Sequence, residues 1–412
     1  MIEKPSKDRI KSYLNNQAKM DTLRFITCGS VDDGKSTLIG RILYEAQMIF
    51  EDQVATLKNE SKKHGTQGGE IDFALLVDGL SAEREQGITI DVAYRFFSTN
   101  NRKFIVADTP GHEQYTRNMV TGASTATLAV ILVDARKGIL EQTCRHSIIC
   151  SNLGIKHIIL AINKMDLVDH SEEIFKKIET DYLNFAKTLA FNSITPIPIS
   201  ALKGDNVIKR SKRMKWFLGS TLFNFLENIK TSDADVNKAL RFPVQWVNRP
   251  NDLFRGFSGT IETGTIKIGD KVCIMPSKEI AKVQEIIFFD QKLKKAEAGK
   301  AVTLTLDRNV DLSRGDVIVS ESSPCEVSDH FQIRLFWLDN SDGYVGRPYF
   351  IKIGTTLISG QITSIKHLID INTHKKLSAK DLKKNDFSIV TIKTDKVIPY
   401  DDYDFSSAMG GL

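Results

Sequence analysis

Residues 23–230 alternate between short apolar runs and longer segments in which apolar side chains recur with helical spacing. The short runs predict strands at Leu23–Cys28, Val92–Ser98, Lys103–Ala107, Leu128–Asp134, His157–Ile162 and Ile194–Ile199. The longer segments predict helices, among them Ser36–Ile49, Ser171–Leu189 and Thr221–Ile229. Strands that alternate with helices predict an α/β domain with a largely parallel sheet, in which ligands bind at the carboxyl ends of the strands.

The pattern changes after Asp233, where helical spacing gives way to short β-type runs separated by glycine. The first group of predicted strands comprises Pro243–Val247, Phe257–Thr263, Lys271–Met275, Ala301–Leu306 and Asp316–Ser320. A second group comprises Phe331–Leu338, Tyr349–Ile353, Ile362–Ile369 and Ser388–Lys393. Short strands with turn signals at this spacing favour small barrels. We therefore predict an α/β domain over residues 1–235, a β-barrel over residues 236–326 and a second β-barrel over residues 327–412.

The composition excludes several classes of protein. The 412 residues carry a formal charge of +5, from 56 basic and 51 acidic side chains, whereas nucleic-acid-binding proteins usually concentrate more positive charge. The five cysteines are scattered and form no Cys-x-x-Cys pair, which favours free thiols in a reducing cytosol over a disulfide framework or a zinc site. The apolar runs are strand-sized, and the first residues lack the apolar core of a signal peptide. We expect a cytoplasmic protein without nucleic-acid or membrane partners.

A glycine-rich segment follows the first predicted strand and opens the first predicted helix. It matches the phosphate-loop pattern G-x-x-x-x-G-K-[ST], and its residues are Gly29, Ser30, Val31, Asp32, Asp33, Gly34, Lys35 and Ser36. Glycine lets backbone N–H groups approach phosphate oxygens, and the amino terminus of a helix favours negative charge. We predict that Lys35 reaches the β- and γ-phosphates of a nucleoside triphosphate and that Ser36 binds Mg²⁺.

A second loop follows the predicted strand Lys103–Ala107 and comprises Asp108, Thr109, Pro110, Gly111 and His112. An acidic residue at the end of a buried strand near a phosphate loop can hold Mg²⁺ through water, which predicts that role for Asp108. Gly111 can bring a backbone N–H close to the γ-phosphate. Upstream, the order Gly-Ile-Thr-Ile predicts that Thr89 caps the metal when triphosphate is bound. Both loops lose their anchor on hydrolysis, which predicts an order–disorder switch.

His112 has two interpretations, an exposed loop side chain or a group that orients the attacking water. Because it follows Gly111 directly, we expect it to lie beside the γ-phosphate and to orient water there. The predicted catalytic residues are therefore His112, Lys35 and Thr89. His146 and His157 are interpreted as structural.

A third loop follows the predicted strand His157–Ile162 and comprises Asn163, Lys164, Met165 and Asp166. Alone, this tetrapeptide also fits an exposed helix cap. As the fourth element of an ordered set it predicts guanine specificity, because a carboxylate at Asp166 can accept hydrogen bonds from guanine N1–H and the 2-amino group. Adenine has neither donor and would leave the carboxylate unpaired. Ser200 and Ala201, after the next strand, can present a backbone N–H to guanine O6. The expected ligand is GTP.

With these motifs in place, the chain resembles translation-factor GTPases, and elongation factor Tu in particular, in its domain order and its Asp-Thr-Pro-Gly-His and Asn-Lys-Met-Asp motifs. It is more similar to the large subunits of bacterial heterodimeric sulfate adenylyltransferases. At the end of the phosphate loop it reads Asp-Gly-Lys-Ser, as those subunits do, where elongation factor Tu typically has His-Gly-Lys-Thr. The segments that carry this similarity are Phe25–Leu38, Glu51–Gly68, Leu75–Tyr94, Asp108–Ser124, Gly204–Val207, Arg241–Gly256 and Ser313–Asp316.

The resemblance implies an α/β P-loop GTPase domain followed by two β-barrel domains, with GTP and Mg²⁺ as cofactors. It also implies a heterodimer with a small adenylyltransferase subunit, which makes adenosine 5′-phosphosulfate and pyrophosphate from ATP and sulfate. The large subunit would hydrolyse GTP to drive that reaction, while ATP and sulfate act at the partner. The sequence is consistent with this division, since it has a single phosphate loop and no His-x-Gly-His adenylyltransferase motif.

Two alternatives stay open, a translation factor of the elongation factor Tu type and a GTP-dependent switch without coupled chemistry. The balanced charge and the Glu51–Gly69 insert favour the sulfate adenylyltransferase subunit. One departure concerns the last domain. The family continues through a terminal segment of the form Gly-x-Phe-Ile-x-Ile-Asp-Arg-Leu, whereas this chain ends at Gly410–Leu412. We therefore expect a truncated third domain, an open sheet in which Ser388–Pro399 lies near an edge.

Overall fold

The computed structural model describes residues 20–46, 48, 54–55, 57, 61, 71–77, 83, 89–230, 236–251, 254–289, 291–370 and 375–411. Most of the Glu51–Gly69 insert, and the Gly-Ile pair before Thr89, lie outside the described residues. The chain forms two compact units, residues 1–231 and 232–412. The boundary between them falls close to the predicted one at residue 235.

The first unit is built on a six-stranded sheet. Its strands are β1 (Asp21–Gly29), β2 (Ala93–Ser98), β3 (Arg102–Asp108), β4 (Leu128–Asp134), β5 (His157–Asn163) and β6 (Ser193–Pro198). Their order is β2-β3-β1-β4-β5-β6, with only β2 running antiparallel to its neighbour. All residues of β4 are buried, as a continuous apolar run in a doubly covered parallel strand requires. The predicted α/β domain is confirmed, with its loops at the carboxyl edge of the sheet.

Helices accompany these strands in the first unit. They are α1 (Lys35–Glu45), α2 (Thr116–Ala123), α3 (Glu141–Asn152), α4 (Glu172–Ala186) and α5 (Leu222–Asn228). The Ser171 side chain caps α4 by accepting the Ile174 N–H, and two glutamates occupy the first turn. The helical spacing predicted for α4 is explained by the residues that it buries, Phe175, Ile178, Tyr182 and Ala186.

The second unit begins with a closed barrel. Its strands are β7 (Arg241–Asn251), β8 (Phe254–Thr260), β9 (Thr265–Lys267), β10 (Lys271–Met275), β11 (Glu279–Phe288), β12 (Gln291–Leu293), β13 (Lys295–Glu297), β14 (Ala301–Leu306) and β15 (Val317–Ser320). The main sheet runs β10-β15-β7-β8-β14-β11-β12, and β11 also pairs with β10, which closes the circle. Closure removes exposed strand edges. The predicted barrel is confirmed, although β11 was not among the predicted strands.

A second sheet follows in the same unit. The elements in this part of the chain are β16 (Glu326–Phe336), β17 (Gly343–Tyr344), β18 (Pro348–Ile353), β19 (Thr356–Ile369), β20 (Lys376–Leu377), β21 (Asp381–Leu382), β22 (Phe387–Tyr400) and the short helix α6 (Ser407–Gly410). β17 and β21 form a separate two-stranded ladder, and the other strands form the second sheet. The order is β16-β22-β19-β18, with β20 on β19. In the described residues no ladder joins β16 to β18, the two ends of this path.

The expectation that Ser388–Pro399 lies near an edge is wrong. These residues form β22, which pairs with β16 on one side and β19 on the other. Buried residues along the strand, such as Val390 and Ile392, pack into the core of this sheet, and that burial favours a central position. Division of the second unit into two domains at residue 326 stays a prediction. Over the described part of the chain, no helix is long and apolar enough to cross a membrane.

Candidate nucleotide-binding site

A cavity of about 380 Å³ opens at the carboxyl edge of the sheet in the first unit. Predicted site residues that line it are Val31, Asp32, Gly34, Lys35, Ser36, Thr89, Gly111, His112, Asn163, Lys164, Asp166, Ser200 and Ala201. Further lining residues are Thr37, Asp72, Ala74, Leu167 and Leu202. The fold therefore brings together loops that follow four different strands.

The remaining predicted site residues do not line the cavity. They are Gly29, Ser30, Asp33, Asp108, Thr109, Pro110 and Met165. Thr109 is fully buried, and its hydroxyl donates to the Thr27 carbonyl at 2.7 Å. Met165 is also fully buried. These two side chains hold the loops in place and do not face the cavity.

The phosphate loop joins β1 to α1 and depends on glycine at two positions. Gly29 has φ of 148° and Gly34 has φ of 94°, which L side chains rarely adopt. A Cβ on Gly34 would lie 2.6 Å from Asn163 Nδ2. The backbone is thus shaped as a cradle, with the amino terminus of α1 directed toward the cavity, as anion binding requires.

Lys35 is the first residue of α1, and its ammonium group is enclosed by the loop. Its Nζ donates to the Ser30 carbonyl at 2.7 Å and lies 3.4 Å from the Gly29 carbonyl. A Cβ on Gly111 would lie 2.6 Å from this Nζ, so only glycine fits there. Burial lowers the pKa of Lys35, and the nearby Asp108 carboxylate opposes that shift. The ammonium is therefore a strong, poorly hydrated partner for phosphate oxygens.

Three oxygen-bearing side chains meet beside Lys35. Ser36 Oγ donates to Asp108 Oδ2 at 2.7 Å and lies 3.2 Å from Thr89 Oγ1. The other Asp108 oxygen accepts a hydrogen bond from Thr27 at 3.1 Å. Burial raises the pKa of Asp108, while the Ser36 hydrogen bond and the Lys35 charge act against the rise. Hydroxyl and carboxylate oxygens are the donors that Mg²⁺ prefers, so these residues fit that ion.

His112 is an exposed loop residue that also lines the cavity. Its position is therefore compatible with both interpretations, an exposed loop side chain and a group that orients water. Its Nδ1 accepts the Gln114 N–H at 3.3 Å, and its ring lies 6.1 Å from that of Tyr115. Because Nδ1 accepts, Nε2 carries the proton of a neutral ring and can donate a hydrogen bond. The position is compatible with orienting a water molecule.

The base-recognition loops are held to the phosphate loop by Asn163. Its Nδ2 donates to the Asp33 carbonyl at 2.7 Å, and its Oδ1 accepts the Ala201 N–H at 2.9 Å. One side chain therefore ties together the phosphate loop and both base loops. The Ala201 N–H is engaged within this network. Asp166 lines the cavity on the same side, where it can meet a base.

Asp134, which sequence reasoning did not identify, supports these loops from the end of β4. Its buried carboxylate lies 3.1 Å from Lys164 Nζ and 2.6 Å from the Arg136 guanidinium. Despite the burial, hydrogen bonds from Arg136 and Lys164 hold its pKa far below the usual range. Lys164 in turn donates to the Asp32 carbonyl. An acidic residue at the end of a buried strand was the signal used for Asp108, and it applies equally here.

His146 on α3 makes a contact that sequence reasoning missed, although its structural interpretation fits. Its Nδ1 accepts the Gly29 N–H at 3.1 Å, and its Nε2 lies 2.9 Å from Gln142 Nε2. A neutral imidazole has one acceptor nitrogen, so Nε2 carries the proton, and the acceptor it requires is the oxygen of a Gln142 amide with its O and N positions exchanged. The ring is fully buried, and burial together with Lys35 lowers its pKa to about 3. A neutral His146 thus anchors the start of the phosphate loop.

Comparisons with known proteins agree with this geometry. The elongation factor Tu GTP binding domain matches residues 20–239, and the GTP-eEF1A C-terminal domain-like family matches residues 330–412. Sulfate adenylyltransferase subunit 1 of Aliarcobacter butzleri is 53% identical over 404 residues, which cover 98% of this chain and 86% of that protein. The subunit of Saccharophagus degradans is 48% identical over 403 residues, with the same coverage of 98% and 86%. The bifunctional enzyme NodQ of a Rhizobium species is 52% identical over 396 residues, which cover 96% of this chain and 61% of that protein.

Proposed function

Because this chain belongs to the sulfate adenylyltransferase subunit 1 family of elongation factor Tu-type GTPases, we propose that it hydrolyses GTP to drive sulfate activation. The driven reaction is the formation of adenosine 5′-phosphosulfate and pyrophosphate from ATP and sulfate. The observation that supports this most directly is the convergence of Lys35, His112 and Asp166 with their loops around one cavity. That arrangement fits a guanine nucleotide with its triphosphate on the amino terminus of α1.

The residues divide the work of binding and hydrolysis. Backbone N–H groups of the phosphate loop and the Lys35 ammonium take the β- and γ-phosphates. Asp166 accepts hydrogen bonds from the two guanine donors. Asn163 fixes the base loop and the phosphate loop in position relative to each other. His112 orients the attacking water next to Gly111, and Thr89 closes over the triphosphate.

Mg²⁺ belongs to the same proposal. Ser36, Thr89 and Asp108 would hold it, Asp108 through water, because the Ser36 hydroxyl already lies within hydrogen-bonding distance of both the Thr89 hydroxyl and the Asp108 carboxylate. When bound, Mg²⁺ neutralises negative charge on the β- and γ-phosphate oxygens. Asp108 keeps its position in either case, since Thr27 holds its second oxygen.

The partner in this proposal is a small adenylyltransferase subunit, with which the chain forms a heterodimer. Relatives at this level of identity bear the name subunit 1, which supports a second subunit. ATP and sulfate act at that partner. All five cysteines are free thiols, which supports a cytoplasmic location, where thiols stay reduced.

The experiment that tests the proposal measures pyrophosphate release with purified proteins. The chain mixed with ATP, sulfate, Mg²⁺ and GTP should release none, and addition of the small subunit should start release at a rate and yield that GTP increases. Lys35→Ala serves as the matched control, because the complex should then lose the stimulation by GTP while its GTP-independent release persists. Pyrophosphate release by this chain alone, or stimulation that survives Lys35→Ala, would contradict the proposal.

A further inference from the structure

The phosphate loop contains a buried carboxylate on its inner side. Asp33 is 1% exposed, and its Oδ2 accepts the Ser30 N–H at 2.6 Å. Its Oδ1 is buried too and has no hydrogen-bond partner in the described structure. The Asp33 backbone carbonyl accepts a hydrogen bond from the Asn163 side chain. Asp33 therefore fixes the loop at two points, and one carboxylate oxygen is left unused.

The charged groups around Asp33 determine how its buried carboxylate can affect bound phosphates. The positive charges of Lys35 and Lys164 act to lower the pKa of Asp33, and the negative charge of Asp134 acts to raise it. Burial raises the pKa of Asp33, and Lys35 opposes that rise more than any other neighbour. Asp33 and the bound phosphates would thus compete for the same ammonium group. A buried negative charge is also screened little by salt.

A carboxylate is not needed for the hydrogen bond alone. An asparagine oxygen would also accept the Ser30 N–H, in a weaker hydrogen bond than a carboxylate makes, and it carries no charge. A buried carboxylate oxygen without a hydrogen-bond donor destabilises the folded protein. The hydrogen bond to Ser30 therefore does not explain why this position carries a charge. Its effect on the site follows from electrostatics, because a negative charge next to bound phosphates weakens their binding.

We propose that Asp33 is a positioning residue with two opposed effects on nucleotide binding: it shapes the phosphate loop through Ser30, and its charge shortens the residence time of the bound guanine nucleotide. This inference rests on the proposed GTP site. It assigns to Asp33 a role in the release of the GDP product, since the charge that opposes phosphate binding lies within the loop itself.

The test is the dissociation rate of a fluorescent GDP from the 412-residue chain, followed by stopped flow at roughly pH 8 and roughly pH 9, because burial raises the pKa of Asp33 and alkaline solution favours its carboxylate form. Asp33→Asn keeps an acceptor for Ser30 and removes the charge, so GDP should leave at least about tenfold more slowly. Asp33→Ala removes the charge and the acceptor, so its release should be faster than that of Asp33→Asn. Asp181→Asn, an exposed site on α4, matches the change in net charge and should release GDP at the wild-type rate.

The direction of the change separates this role from a merely structural one. If Asp33 acts only as a loop brace, Asp33→Asn releases GDP at the wild-type rate or faster, and the inference is refuted. Should Asp33→Asn not fold, Asp33→Ser supplies a neutral acceptor for the same comparison, with the same outcome required. Failure of the wild-type chain to bind fluorescent GDP would instead refute the proposed GTP site, so the two failures are distinguishable.

Discussion

His146→Asn removes a titratable ring from beneath the phosphate loop and leaves an oxygen near the position of Nδ1. That oxygen can accept the Gly29 N–H, which the imidazole accepts at 3.1 Å. The wild-type ring has a pKa of about 3 in the folded protein, compared with 6.5 for an ordinary histidine. The two proteins should therefore differ in how their stability responds to acid more than in their structure.

The magnitude follows from the difference between these pKa values. Below pH 6.5 the unfolded chain binds a proton at this histidine and the folded chain does not, so acid favours unfolding. The free energy of unfolding should fall by about 1.4 kcal/mol for each pH unit in this window. The loss is complete only near pH 3, where it reaches about 5 kcal/mol. The Asn variant lacks this contribution.

Two other buried groups act in the opposite direction. Burial raises the pKa values of Asp33 and Asp108, so their contribution to stability grows as pH falls through those values. Both groups are present in wild type and variant. Their contributions cancel in the difference between the two proteins, provided that the loop keeps its shape.

The assay is urea unfolding between pH 7 and 5, followed by the fluorescence of Trp216 in the first unit. Trp216 packs 5.2 Å from Phe175 and donates to the His170 carbonyl, so its emission reports on that unit. Trp246→Phe and Trp337→Phe in the background remove signals from the second unit. Parallel pH dependences in the wild-type and His146→Asn proteins would refute the buried, neutral imidazole.

Further predictions concern the nucleotide site and the second unit. Asp166→Asn should lose GTP affinity and gain xanthosine triphosphate affinity in calorimetry, and unchanged GTP binding would contradict the assignment. His112→Ala should retain GTP binding while single-turnover hydrolysis falls roughly 100-fold or more, whereas Lys35→Ala should impair both. Wild-type hydrolysis in His112→Ala would exclude the water-orienting role. Arg241 and Asp401 form a buried pair at 2.6 Å, so Asp401→Ala should destabilise the second unit by about 3–5 kcal/mol in chemical unfolding, and no loss would contradict the pairing.

Much of the first unit was predictable because phosphate chemistry constrains local sequence. A loop that presents N–H groups to phosphate needs glycine at positions such as Gly29 and Gly34, and these are readable from a short segment. Strand β4 was equally clear, since its continuous apolar run reflects burial on both faces. The predicted bounds of this strand and the observed ones coincide.

The second unit contains a strand that the local pattern of apolar and polar residues did not predict. Strand β11 closes the barrel, yet its exposed side chains include Lys282 and Gln284, and its pairing with β14 shifts register between Val283 and Glu285. A bulge breaks the alternation of apolar and polar residues on which strand prediction depends. The ladders to β10, β12 and β14 identify the segment as a strand, and the ladder to β14 joins residues that are remote in sequence.

The residues that support the candidate site from behind could not be predicted from the sequence, because their partners are also remote along the chain. His146 lies 117 positions from the Gly29 N–H that it accepts, and Asp134 serves the base loop through Lys164. Residues that touch a ligand recur at fixed spacing because the ligand has a fixed shape, whereas a bracing residue only has to reach its partner in the folded chain. Asp33 is both part of a ligand-binding motif and a bracing residue. It lies inside the phosphate-loop pattern, at a position where any residue is allowed. The pattern locates Asp33, and only the buried contact with Ser30 indicates what its charge does there.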